Sequence, residues 1–263
     1  MTEHHDPLDL TGRVAVLTGS TRGMGLAAAE LLAAHGSRVV VSGRNEDACV
    51  TAAQTINARH DDKRALGVPC HVGRDQDRRR LVDTVLQEWG RIDVLLLNAS
   101  YNVWLGPIAE LEESVFRKTL EVNVIGNHAL MALVLPGMVD RGWGRIVATT
   151  SIVGSALGSP VDAAYAASKA AVDSMIRCVA VEHGAAGIRA NAIAPAMFRT
   201  QMARSLWESP EHRATYDAHN PVARPGEPPE YAGLALLLCS DGAGYLNGQT
   251  INLDGGYTVA WRI

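Results

Sequence analysis

The stretch "RVAVLTGSTRGMGLAAAELLAAHG", Arg13 to Gly36, decides the fold. An apolar, β-branched run is followed at once by a turn holding Gly19, Gly23 and Gly25, and then by a helical period expected over Met24–His35. Strand, glycine turn and helix in that order make a parallel βα unit. The glycines let the backbone turn tightly and bring the helix N-terminus up to a phosphate. Their Gly-x-x-x-Gly-x-Gly spacing differs from the commonest dinucleotide fingerprint, but the physics is the same.

Outward from this unit the pattern repeats. Further strands are expected in "RVVVSG", "ALGVPC", "IDVLLLN", "GRIVATT", "IRANAIAP" and "QTINLDG", with helical segments over Glu46–His60, Asp75–Trp89, Leu111–Val139, Ala163–His183 and Pro229–Ser240. Near-continuous apolar strands alternating with helices imply a parallel sheet covered on both faces. The expected fold is therefore α/β: a Rossmann-type doubly wound parallel sheet of about seven strands. Without a linker or an internal repeat, residues 1–263 read as a single dinucleotide-binding and catalytic domain. Residues 1–10 form an expected flexible arm. Residues 197–228, rich in proline, form an expected lid with a short helix over Met202–Trp207.

The 263 residues are 47% hydrophobic and 20% charged, with a formal charge of −4, so neither nucleic acid nor an anionic membrane is an expected partner. The sequence shows no secretion signal, and its longest apolar run, "LALLLC", is too short to span a bilayer. Cys49, Cys70, Cys178 and Cys239 are scattered and form no C-x-x-C pair. That favours reduced thiols in the cytoplasm and argues against a metal site.

In sheets of this kind ligands bind beyond the carboxyl ends of the strands. At the end of the second strand, Gly43 stands where an acid would hold an adenosine ribose 2′-hydroxyl, and Arg44 follows. Arg22 and Arg44 together suit a 2′-phosphate, favouring NADP(H) while leaving NAD(H) open.

A second motif carries the chemistry. In "DAAYAASKAAVDSM", Tyr165 and Lys169 are one helical turn apart on the same face. A phenol with a pKa of about 10 is a poor acid or base at neutral pH, and a neighbouring ammonium is expected to lower it. Ser151, at the end of the fifth strand, is placed to donate a hydrogen bond to a carbonyl oxygen.

With these residues in view, the sequence resembles the short-chain dehydrogenase/reductase family, near its oxoacyl-carrier-protein reductase branch, over nearly the whole chain. The resemblance rests on Thr18–Gly25, Asn98-Ala99-Ser100, "NVIG" with Asn123, Ser151, Tyr165 with Lys169, Pro195-Ala196 with Thr200, and "GQTINLDGGYT". It implies catalytic roles for Asn123, Ser151, Tyr165 and Lys169, with Lys169 also holding the nicotinamide ribose and Asn123 anchoring a proton-relaying water. The implied cofactor contacts begin with Gly19, Thr21, Arg22, Gly23, Met24 and Gly25 in the first turn. Ser42, Arg44 and Asn45 follow the second strand, His71 and Val72 the third, and Asn98, Ala99 and Ser100 the fourth. Pro195, Phe198, Thr200 and Met202 complete the set with Tyr165 and Lys169. Three positions depart from the family: Ser100 and Ala196 stand where it has Gly, and His71 where it has an adenine-contacting Asp.

The expected function is hydride transfer between NADP(H) and a ketone or secondary alcohol, with Tyr165 as general acid/base. An NAD-dependent alcohol or sugar dehydrogenase is the alternative. A non-catalytic dinucleotide sensor is disfavoured by the intact Asn123, Ser151, Tyr165 and Lys169. Ser151, Tyr165, Val153, Tyr101, Trp104, Met197 and Trp207, with Phe198, Met202 and Leu206 from the lid, form an expected substrate wall suited to apolar or ring-containing ketones. Apolar residues around the helices Leu111–Val139 and Ala163–His183, among them Leu130, Leu133, Val172, Met175, Ile176 and Val179, suggest a homotetramer.

Overall fold

The computed structural model describes residues 6–260. Its seven strands are β1 (Val14–Thr18), β2 (Arg38–Gly43), β3 (Ala65–Pro69), β4 (Val94–Leu97), β5 (Gly144–Thr149), β6 (Ile188–Pro195) and β7 (Thr250–Leu253). They form one sheet in the order β3-β2-β1-β4-β5-β6-β7, with every pairing parallel. The chain steps outward from β1 to β3, then returns to lay β4 on the other side of β1. The order of connection therefore reverses between β1 and β4, and the connections leaving these two strands diverge to leave a crevice there.

Alternation along the strands sends side chains to two cores. One face packs Ala15 and Leu17 of β1 against α1 (Gly23–Ala34), α2 (Glu46–Asn57) and α10 (Pro228–Cys239), through Leu32, Ile56, Tyr231 and Leu236. The other packs Val14 and Val16 against α3 (Asp75–Trp89), α5 (Gly126–Asp140) and α7 (Ala163–His183), through Leu81, Leu130, Met138, Val172 and Ile176. Each such side chain contributes about 1.5–3 kcal/mol on burial. Between α4 (Glu113–Leu120) and α5 the helix widens into a π segment, Glu121–Ile125, which carries Asn123. The run Glu113–Asp140 is long and apolar enough to cross a membrane by length and composition, yet Leu130, Val134 and Met138 lie buried on the sheet.

The expected strands and long helices all form, with boundaries differing by a few residues. The expected helix over Leu111–Val139 is divided by the π segment. The remaining helices are α6 (Ile152–Ser155), a single turn after β5, and two in the expected lid, α8 (Arg204–Trp207) and α9 (Pro210–His219). The short helix expected over Met202–Trp207 is thus confined to α8. The sequence reading missed α9, although its signals are local: Ser209 caps the helix through the His212 amide, and Pro210 occupies the first turn. The expected arm also departs from the structure. The Pro7 carbonyl accepts from the Gly242 amide, the Leu10 amide donates to the His35 carbonyl, and Leu10 is fully buried. Residues 1–5 of that arm lie outside the described residues.

At the amino ends of the strands, Asp93 is fully buried. It accepts from the Val14 amide at 2.9 Å and from two Arg91 nitrogens at 2.8 and 2.7 Å. Asp93→Ala would leave the Val14 N–H without its acceptor, at a cost of roughly 1–3 kcal/mol. We expect a melting temperature lower by several degrees with unchanged specific activity of the folded protein, because the crevice lies at the opposite end. Thermal denaturation alongside active-site-normalised turnover checks this.

Candidate active site

At the carboxyl ends of β1, β4 and β5 the polar groups interlock. The Thr18 hydroxyl oxygen accepts from the amides of Asn98 and Ala99, each at 3.1 Å. Asn98 donates from Nδ2 to the Gly19 carbonyl at 2.8 Å and accepts at Oδ1 from the Thr149 hydroxyl at 3.1 Å. This leaves the glycine turn almost no space. A Cβ on Gly25 would stand 2.5 Å from the Gly19 carbonyl oxygen and 2.6 Å from Asn98 Nδ2. Gly19 also has a positive φ of 61° and abuts Ala99. Side-chain volume at either position would close the turn.

The turn ends at the N-terminus of α1. Its preceding residue, Arg22, makes no side-chain cap bond, and the first turn has no acidic residue. Unfilled amide donors and the positive end of the helix dipole suit a phosphate. Nearby, Ser42 is buried with no partner for its hydroxyl among the described residues. A Cβ on Gly43 would meet the Thr21 methyl at 2.9 Å, so a longer acidic side chain would crowd that strand end. Arg22 and Arg44 are exposed, and neither has an ion-pair partner among the described residues. Asn45 is engaged as the cap of α2, accepting from the Ala48 amide at 2.8 Å. His71 accepts at Nδ1 from the Gly73 amide at 3.1 Å, and burial and nearby Arg74 and Lys118 lower its pKa. Val72 is buried, with its carbonyl accepting from Arg78. An orphan hydroxyl, two unpaired guanidinium groups and a glycine cradle fit a phosphorylated dinucleotide.

Across the crevice, Ser151 caps the turn after β5 by accepting from the Val153 amide at 3.2 Å. Tyr165 and Lys169 enter from the first turns of α7. Lys169 is nearly fully buried, and its ammonium donates to the Thr149 carbonyl at 2.8 Å while lying 5.3 Å from the Tyr165 ring centroid. Burial lowers the Lys169 pKa to about 8, with Asp173 opposing the fall. Tyr165 moves opposite to expectation. Burial pushes its phenol up to about 12, while the Ser151 hydroxyl pulls the other way. The phenol is therefore protonated at neutral pH.

The structure also redirects Asn123. Its Oδ1 accepts from the Tyr101 amide at 2.7 Å, while Nδ2 donates to the Tyr101 carbonyl at 2.9 Å and the Ser168 hydroxyl at 3.0 Å. The side chain braces the loop after β4 against α7, and its carbonyl accepts from Asn127 at 2.8 Å.

Of the expected substrate wall, Tyr101, Trp104, Val153, Met197 and Trp207 are half-buried around this end of the sheet. Trp207 donates to the Thr200 carbonyl at 2.8 Å, and Thr200 lies against the glycine turn. Pro195 is buried at the end of β6. Phe198 does not join the wall: its ring is buried in the core against Gly226. Met202 and Leu206 are 61% and 42% exposed, so neither forms an enclosed surface in this arrangement.

This fold and site define a dinucleotide-dependent oxidoreductase. The sequence model described as Enoyl-(Acyl carrier protein) reductase matches residues 19–258, and the chain belongs to the short-chain dehydrogenase/reductase family. It is 37% identical over 253 residues to Dehydrogenase/reductase SDR family member 4 of Bos taurus, covering 95% of this chain and 88% of that protein. It is 32% identical over 251 residues to an A-factor type gamma-butyrolactone 1'-reductase (1S-forming) of Streptomyces virginiae, covering 95% and 97% of the two chains. A solved gluconate 5-dehydrogenase from Burkholderia cenocepacia J2315, in complex with NADP and tartrate, superimposes with a TM-score of 0.91 at 32% identity, covering 97% and 99%. The chain is thus an NAD(P)-dependent oxidoreductase of carbonyl and alcohol substrates.

The glycine turn yields a direct test. Gly25→Ala places a methyl group against the Gly19 carbonyl and Asn98. We expect an at least tenfold weaker NADPH affinity in a fluorescence titration, with unchanged far-UV circular dichroism. Unaltered binding would remove this turn from the cofactor site.

Proposed function

We propose that this chain interconverts a ketone and a secondary alcohol using NADP(H), with Tyr165 giving and taking the proton. The observation that carries this reading is the grouping of Tyr165, Ser151 and Lys169 beside the glycine turn. The nicotinamide would supply or accept the hydride. As negative charge grows on the substrate oxygen, the Tyr165 hydroxyl donates to it and Ser151 gives a second hydrogen bond. In the reverse direction the phenolate needs support, and the Ser151 hydroxyl and the Lys169 ammonium supply it.

NADP(H) preference is supported by exposed Arg22 and Arg44, by Gly43 packed on Thr21, and by the NADP described in the gluconate 5-dehydrogenase structure. The aromatic and thioether wall favours a small ketone with an apolar or ring-containing body. Residues 197–228 are read as its cover, with exposed Met202 and Leu206 available to close over a ligand. Assembly as a homotetramer is supported by exposed Val181 on α7 and Ile125 in the π segment. Leu130, Val172, Ile176 and Val179 are instead buried against the chain's own sheet. Four free cysteines accord with a cytoplasmic setting.

Tyr165→Phe keeps the ring and removes the proton. Turnover should fall about 10²–10⁴-fold, with NADPH binding retained; near-normal turnover would sink the mechanism. Arg44→Asp replaces a phosphate partner with a repelling charge. The ratio of kcat/KM with NADPH to that with NADH should fall at least tenfold. A wild-type protein that already prefers NADH would overturn the reading of Arg22 and Arg44 and favour the NAD-dependent alternative.

A further inference from the structure

Asp173 is a buried carboxylate, 3% exposed, and the chemistry above makes no use of it. It lies one helical turn beyond Lys169 on α7, which puts both side chains on one face. The Thr250 hydroxyl of β7 donates to Oδ1 at 2.9 Å, and the Ser155 hydroxyl of the turn after β5 donates to Oδ2. No ion pair reaches the carboxylate among the described residues. Burying an anion is costly unless something nearby needs its charge. A serine or threonine could tie α7 to β7 without that cost.

The surroundings of Lys169 supply the need. The β5 side offers the Thr149 carbonyl, and the π segment approaches through uncharged Asn123, bonded to Ser168 of α7. On α4, Arg117 pairs with Glu113, and Lys118 pairs with Glu121 beyond it, all at the surface. His128 of α5 is exposed. Arg189 of β6 donates to the Gly184 and Gly244 carbonyls at the far end of that strand. Tyr165 is the other titratable group beside the ammonium. We propose that Asp173 is a positioning residue: held in place by Ser155 and Thr250, it keeps the buried Lys169 charged at the active site. This rests on Lys169 being a working group of the site. It adds that the charge is maintained from the rear of the helix by a residue that touches neither substrate nor cofactor.

The sign is fixed by electrostatics. An anion nearby favours the protonated lysine, so losing it lets burial drive the Lys169 pKa further down. The sequence contains three lysines, Lys63, Lys118 and Lys169. A pH titration of cofactor-free protein labelled at lysine 13Cε therefore gives three resonances, two from surface residues. Wild-type Lys169 should titrate near 8. In Asp173→Asn its midpoint should drop by about one unit, which lowers the charged fraction at pH 8 about fivefold and moves the alkaline fall of kcat down by the same interval. Thr250→Val removes one donor while keeping the carboxylate, and should leave the midpoint within about 0.3 unit. An equal drop in this variant would assign the effect to loosened packing and overturn the proposal. Wild-type protein provides a measurement that needs no variant to fold: the Asp173 13Cγ resonance should show a step at the Lys169 midpoint. An Asp173 signal blind to that ionisation, or an unmoved lysine in Asp173→Asn, would overturn the proposal. Because the titration is read without cofactor or turnover, either failure is distinct from failure of the Tyr165 mechanism.

Discussion

Everything at the working end of this molecule depends on how Asn98 is held. The order of connection reverses between β1 and β4, and the connections leaving these two adjacent strands must diverge without leaving their polar groups unpaired. The Thr18 hydroxyl satisfies two amides of the β4 end, while the Asn98 side chain joins the Gly19 carbonyl to the Thr149 hydroxyl. Thr149 continues the connection to the buried Tyr231 hydroxyl of α10 at 2.6 Å. One amide side chain thereby fixes the glycine turn relative to β5. Ser151 follows two residues after Thr149, and the Thr149 carbonyl receives the Lys169 ammonium. The cofactor cradle and the acid/base group are held in register by the same few hydrogen bonds.

The electrostatics follow from burial rather than from contact between the lysine and the tyrosine. A phenol and an ammonium one turn apart are expected to draw each other toward the charged pair. Here the low-dielectric surroundings dominate both groups, raising the phenol and lowering the ammonium. A phenol that keeps its proton suits the reductive role proposed for Tyr165. The Ser151 hydroxyl reduces the cost of releasing it. Ser100, a departure from the family's glycine, adds a buried hydroxyl that has no hydrogen-bond partner among the described residues.

The sheet was legible in the sequence because buried parallel strands are apolar along their whole length and the helices between them are long and periodic. Glycine positions in the first turn were equally legible, since their requirement is local. What escaped is decided by tertiary contact. Phe198 reads as a pocket residue among Met197, Met202 and Trp207, but Gly226 leaves a space that its ring fills. The bracing of the Asn123 amide onto Tyr101 and Ser168 is likewise a contact between distant segments. Leu10 reads as part of a polar arm, yet it is buried in the core under α1, with its amide bonded to the His35 carbonyl. The helix α9 is a different kind of omission: counting prolines as breakers hid the one at Pro210 that starts a helix.

These differences have a spatial logic. The groups proposed to hold the dinucleotide are backbone atoms and glycines at strand ends, where the hydrogen-bond ladder leaves little freedom. The substrate wall instead comes from connections beyond β4, β5 and β6, joined to one another by a few bonds such as Asn102 to Asp162 at 3.0 Å and the Gly106 amide to the Val161 carbonyl at 2.9 Å. Loop residues of this kind can change without disturbing either core. On the proposed assignment, the reaction type is set by the part of the chain that folding itself requires, whereas substrate choice rests on side chains that folding barely constrains. A family built on this plan can keep one chemistry while its members take chemically unlike substrates.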